Sequence, residues 1–253
     1  MIIVHGQLNA WGLCSASPFV NKLVMWLDVK GLPYTLAPAD MPRAPKGKIP
    51  WVELPGGERL SDSGDIIATL TERHGGLPGD AERPANDPVL HLVRRTLEES
   101  LYFATLTTRW AGSDAAFEAV VTAFAPALPP LIGPLALRYI VRPNVRRAAR
   151  AQGIGRHSPE GIASRAIADL HAVSGVLGQS PWLSGERPGT IDCGLWAAMG
   201  GVLVFPVDNP IQAALKTEPG LANLRALFER GKALPPGAWL GEGEQATGST
   251  QRS

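Results

Sequence analysis

The chain has 253 residues, 45% of them apolar, and a formal net charge of +1. That is enough apolar material for a sizeable core in one large domain or two small ones, and it provides no basic stripe for a phosphate backbone, which excludes a nucleic-acid partner. Cys14 and Cys193 form neither a CxxC pair nor a disulfide framework, as expected of a cytoplasmic protein, and Met1–Gly6 lacks the basic start of a leader and reads as a buried strand.

In chain order, a strand is expected at 2–6, followed by a helix from Ser17 to about Lys30. The helix start is doubly marked: Ser17 can cap free amides, and Pro18 at the first helical position has a suitable φ and no amide to leave unpaired. Phe19, Leu23, Trp26 and Leu27 share one face and Asn21, Lys22, Asp28 and Lys30 are polar, so the helix is expected to lie on a sheet. Strands follow near Tyr34–Leu36, at Trp51–Leu54 and at Arg59–Leu60, with a turn at 55–57, then a helix from Ser63 to His74. This α/β unit, residues 1–78, ends in a Gly- and Pro-rich stretch. Beyond it, helical patterns cover roughly 87–111, 115–125, 143–152, 159–178, 190–203 and 219–231, an all-α unit over 87–235. The tail 241–253 has no apolar period and is expected to be disordered.

Residues 119–137 carry no charge and approach the ~20 residues that cross a bilayer. Pro126, Pro129, Pro130 and Pro134 interrupt them, so a buried, kinked connection between helices is expected and no membrane partner.

Three stretches suggest chemistry. In "SASPFVNKL", residues 15–23, Ser15 and Ser17 precede a helix N-terminus, where a hydroxyl and the helix dipole can stabilise an anion; Cys14 is a weaker candidate that also fits as a small core residue. In "KGKIPWVEL", residues 46–54, a cis Ile49–Pro50 bond would turn the amide and carbonyl of Ile49 outward as a short ladder for an extended peptide. In "LSDSGDII", residues 60–67, amides near Ser63 can take a carboxylate and Asp62 an ammonium, the two groups of an amino-acid backbone. Further on, Tyr102, Thr105, Leu106 and Arg109 form a helical stripe with Trp110 beside it. Packing explains such a stripe, but the polar tips and Arg109 make Tyr102, Arg109 and Trp110 candidates for a pocket lining. The five histidines show no ligand spacing, and no metal is expected.

The order of hydroxyl plus Pro at the first helix, "GKIP" before a strand, and an acidic residue plus Ser before the next helix, followed by an all-α half, resembles the cytosolic glutathione S-transferase superfamily. "APKGKIPWVEL…LSDSGDII" and "RPNVRRAARAQGIGRHSPEGIASRAIADL" are most like its failed-axon-connections/metaxin-like branch and that branch's bacterial relatives. The resemblance implies a thioredoxin-like N-terminal domain that binds glutathione and an all-helical C-terminal domain that binds the second substrate. It gives Ile49 and Pro50 the cysteinyl unit of glutathione, Asp62 and Ser63 the γ-glutamyl end, and Lys46 and Lys48 the glycyl carboxylate. Ser17 stands where omega-like members carry a nucleophilic Cys, and Val20 where dithiol relatives keep a second one, so mixed-disulfide chemistry is excluded and Ser17 or Ser15 is left to stabilise the thiolate of glutathione. In "RPGTIDCGLW", residues 187–196, a family helix-capping motif has Gly189 in place of a hydroxyl residue, a change that should still allow the helix. The function implied is transfer of glutathione to, or its removal from, a small hydrophobic electrophile, in a detoxification role and in a chain that can form a homodimer. The alternative is an inactive binding or adaptor protein of the same fold.

Overall fold

The computed structural model describes residues 1–84, 86–129 and 132–234. The N-terminal unit holds β1 (Ile2–Gln7), α1 (Pro18–Lys30), β2 (Tyr34–Pro38), β3 (Trp51–Glu53), β4 (Arg59–Ser61) and α2 (Ser63–His74). The sheet runs β2-β1-β3-β4, with β1 parallel to β2 through the α1 crossover and β3 antiparallel to both neighbours. Gly6 allows α1 to approach, since a Cβ there would stand 2.6 Å from a methyl of Val20.

The C-terminal unit is helical: α3 (Pro78–Glu82), α4 (Pro88–Arg95) running through a π turn at Thr96–Leu101 into α5 (Tyr102–Ala111), α6 (Asp114–Phe124), α7 (Ile132–Ala136) running through a π turn at Leu137–Val141 into α8 (Arg142–Gln152), α9 (Pro159–Leu177), α10 (Thr190–Leu203), α11 (Pro210–Thr217) and α12 (Ala222–Lys232). The helix expected over 87–111 is the α4–α5 run. α3 and α11 were not expected; the signal for α11 is Asn209–Pro210, where Asn209 accepts from the amide of Gln212 at 3.0 Å. At α9, Ser158 caps and Pro159 opens the helix.

Three expectations need correction. The connection over 119–137 is not buried throughout: α7 begins within it and exposes Ile132 and Leu135, because only the opposite side of that helix has protein to pack on. Asn21 and Lys22, assigned to a polar side, are 2% and 5% exposed, since α1 is covered by the sheet on one side and α10 on the other. The helix expected from 219 begins at Ala222, after a 3-10 turn at Pro219–Leu221. The tail 241–253 lies outside the described residues.

One apolar cluster spans both units, joining Val4, Leu23, Trp26 and Ile66 to Leu101, Leu170, Leu195 and Leu227. Polar links reinforce this seam: Lys22 Nζ lies 2.7 Å from Glu98 Oε1, and the indole of Trp26 donates to Thr190 Oγ1 at 3.1 Å. At the start of α10, Asp192 reaches back to the amide of Gly189 at 2.9 Å, while Asp80 of α3 accepts from the amide and hydroxyl of Thr190, both at 2.8 Å. Asp80 supplies from another helix the oxygen that position 189 lacks. A Cβ at Gly189 would collide with Ser184 and Asp80, so the glycine is what lets that carboxylate in.

Candidate functional site

The strand register sets the site. His5 pairs with Trp51 and Trp51 with Ser61, so the chain leaving β1, the Ile49–Pro50 approach to β3 and the Asp62–Ser63 exit from β4 all lie at one end of the sheet. The N-termini of α1 and α2 begin at that same end, and their orphan amides and dipoles favour a negatively charged guest.

From β1 the chain folds into a tongue over residues 8–16, closed by bridges Leu8↔Ser15 and Ala10↔Leu13. Its tip is Trp11–Gly12, with φ of 54° and 83° as in a type I′ turn. The base is fastened from within. Ser15 is fully buried; its hydroxyl donates to the Gly6 carbonyl at 2.8 Å and accepts from the Ser17 amide at 3.2 Å. Asn21 grips the same turn: its Oδ1 accepts from the Ser15 amide at 3.2 Å and the Cys14 thiol at 3.0 Å, and its Nδ2 donates to the Ser15 carbonyl at 2.8 Å. The side-chain donors of Ser15 and Cys14 are thus both consumed inside the loop.

Ser17 differs. It holds the N-cap position by backbone conformation, at ψ 120°, but its side chain makes no capping hydrogen bond, contrary to the sequence expectation; Pro18 has already removed one of the amides in need of an acceptor. Its hydroxyl is half-exposed at the start of α1, without a partner among the described residues.

Across the sheet end, the Ile49–Pro50 peptide is cis. Pro50 is buried and Ile49 half-buried, and neither the amide nor the carbonyl of Ile49 makes a hydrogen bond among the described residues, which leaves an open rung for an extended chain. Asp62 has φ 75°, a left-handed value that a residue with a Cβ adopts at a cost of roughly 1–3 kcal/mol. Its carboxylate caps α2 by accepting from Gly64 at 2.9 Å, with its second oxygen free of such a bond among the described residues. Ser63 is 3% exposed, and beside it the Ser61 hydroxyl is buried with no hydrogen-bond partner among the described residues. Lys46 lies 2.6 Å from Asp65 in the first turn of α2, and that bond raises its pKa. Lys48 is exposed.

The helical half closes the site from above. The ring of Tyr102 meets Phe19 edge-on at 4.9 Å, two residues past Ser17, and burial pushes its phenol up, so it stays protonated. Arg109, 9% exposed, lies over Trp11 of the tongue at 5.0 Å and over Phe205 at 5.3 Å, and donates to the Gly201 carbonyl; burial lowers its pKa to about 10. Trp110 is not brought to the sheet end. It is 7% exposed in a second apolar cluster with Phe117, Val120 and Leu137, and its carbonyl accepts from Arg142 at 2.9 Å. No group of three or more His, Cys, Asp or Glu side chains suited to a metal occurs among the described residues.

Family models described as glutathione S-transferase N-terminal domain and glutathione S-transferase C-terminal domain match residues 18–116 and 166–230. The chain belongs to the glutathione S-transferase superfamily. It is 28% identical over 233 residues to an isoprene-epoxide–glutathione S-transferase of Rhodococcus sp. (strain AD45), covering 88% of this chain and 95% of that one. It is 27% identical over 195 residues to failed axon connections of Drosophila melanogaster, covering 74% of this chain and 46% of that one, in keeping with the branch resemblance. A glutathione S-transferase of Methylobacterium radiotolerans, solved in complex with glutathione sulfonate, shares the fold at TM-score 0.55 and 20% identity, over 100% of this chain and 99% of that one. Within this fold, Asn21, which ties the base of the tongue to α1, is the residue of the candidate site that the sequence did not point to, because helical period alone turns it away from the sheet.

Proposed function

We propose that this protein joins glutathione to a small apolar electrophile, the sulfur being held as a thiolate by the hydroxyl of Ser17. The observation that carries this reading is that Ser17 alone, of Cys14, Ser15 and Ser17, has an uncommitted donor at the N-terminus of α1. Glutathione lies extended past Ile49, its γ-glutamyl end at Asp62 and Ser63 and its glycyl carboxylate near Lys46 and Lys48. A free thiol of pKa near 8.5 is mostly protonated at neutral pH; one hydrogen bond from Ser17 and the positive end of α1 favour the anion.

The name of the Rhodococcus relative supports an epoxide as electrophile. The thiolate sulfur would form a bond to a ring carbon, the C–O bond would break, and the oxygen would take a proton. Tyr102, kept protonated by burial and packed edge-on against Phe19 two residues past Ser17, would supply that proton, with water restoring it. A detoxifying role in the cytoplasm, and assembly as a homodimer, accord with this chemistry.

The test is retention on immobilised glutathione together with ultraviolet titration of the bound thiol. Retention with a thiol pKa below that of free glutathione is expected. Failure to bind sinks the enzymatic reading and leaves the adaptor; binding with an unshifted pKa removes Ser17 from its role.

A further inference from the structure

The surface helix formed by α7, its π turn and α8 carries a face that the proposed reaction does not use. Of ten exposed large apolar side chains among the described residues, four fall within nine residues here: Ile132, Leu135, Tyr139 and Ile140, between 56% and 71% exposed. The second half of the helix and the 3-10 turn after it expose Arg146, Arg147, Arg150 and Arg156, which with Pro143 and Ala151 line an open groove of about 770 Å³.

Residues 132, 135, 139, 143, 146 and 150 follow helical spacing, so apolar and basic groups share one stripe, apolar first and basic after. The helix buries Gly133, Leu137, Arg142 and Ala149 against the protein and leaves this stripe bare. The four arginines also lack acids. Arg147 donates to Asn144 at 2.8 Å and Arg156 to the Arg150 carbonyl at 3.0 Å, and none of the four has a carboxylate partner among the described residues. Eight other arginines of the chain are in ion pairs, including Arg138 with Glu118 and Arg142 with Asp114 on this very helix.

An exposed apolar cluster marks a surface that something covers, and unpaired guanidinium groups beside it select an anionic, phosphate-bearing partner. We propose that this face docks on an anionic lipid bilayer, with Leu135, Tyr139 and their neighbours entering the headgroup boundary and the arginines taking lipid phosphates. Such a helix lies in the plane of the interface; no helix of the described residues is long and apolar enough to cross a membrane. This departs from the sequence expectation of no membrane partner, which weighed crossing alone. A second copy of the chain fits the face less well, because a two-fold pair sets the same surface against itself and so brings the four arginines no carboxylate from this face.

The full chain is to be co-sedimented with vesicles of phosphatidylcholine alone and with vesicles containing about a third phosphatidylglycerol, at low and high salt. Binding to the anionic vesicles, weakened by salt, is expected, with a loss of more than about tenfold for Arg146→Gln/Arg147→Gln/Arg150→Gln. A clear loss is also expected for Leu135→Ser/Tyr139→Ser. These side chains are exposed, so melting and glutathione retention should match wild type. Equal binding to both vesicle types, or none, overturns the proposal. So does full binding by the Leu135→Ser/Tyr139→Ser variant, which would reduce the face to an anion site, and so does a dimer in sedimentation velocity that this variant dissociates, which would make a second copy the occupant.

Discussion

Ser15 and Ser17 carry the same hydroxyl two residues apart, and the structure separates them by what each has left to give. Ser15 spends its proton on Gly6 and its lone pair on Ser17, whereas Ser17 has neither engaged. Ser17→Ala should therefore raise the pKa of bound glutathione toward 8.5, each unit lowering the thiolate fraction about tenfold, with affinity below that pKa little changed. Ser15→Ala should instead destabilise the fold by about 1–3 kcal/mol, the cost of leaving buried groups unpaired, measured by urea unfolding. A titration moved only by Ser15→Ala would reverse the assignment. At the other edge, Ser63→Ala should weaken glutathione binding by about 1.5–3 kcal/mol in calorimetry, the worth of a hydrogen bond to a charged group, and unchanged affinity would place the ligand elsewhere.

At the scale of elements, the strand and helix order was legible because apolar period, Pro at helix starts and Gly-rich turns all act locally. The placement of residues 49, 50, 62 and 63 at one end of the sheet was legible for the same reason: each lies where a strand begins or a helix starts. What sequence could not show were contacts fixed by distant neighbours, such as Asn21 tied to the base of the tongue, Trp110 drawn into a second cluster, and the start of α10, where Asp80 stands in for a missing cap. Asp192 tests that last element. It is fully buried, accepts amides from Leu183 at 2.6 Å, Ser184 at 3.2 Å and Gly189, and burial raises its pKa to about 6. The folded state then holds a proton that the unfolded chain has released between about pH 4 and 6, so this group's contribution to stability falls as pH rises through that window, by at most about 1.4 kcal/mol per unit. Asp192→Asn should lose this slope, and its deficit against wild type in urea unfolding should shrink from pH 4 to 6. Parallel curves for the two proteins would refute it.

At the scale of the whole molecule, the two units share a core and should unfold together. The Lys22–Glu98 pair at their seam is asymmetric: the lysine side chain is 6% exposed and the glutamate 28%. Removing the acid strands a buried cation at a cost of about 3–5 kcal/mol, while removing the cation leaves an acid that water can reach, so Glu98→Gln should cost more than Lys22→Met. Calorimetric scans giving the reverse order would mean that the seam is wetter than its geometry. The tongue crosses the same seam: Trp11 from the N-terminal unit is held against Phe205 and Arg109 of the helical one. An indole's emission depends on the charge beside it, so this chain carries its own optical gauge of the space between its halves. The spectrum of wild type minus that of Trp11→Phe isolates the signal, and a second substrate that shifts the tongue on arrival becomes visible in it without any label.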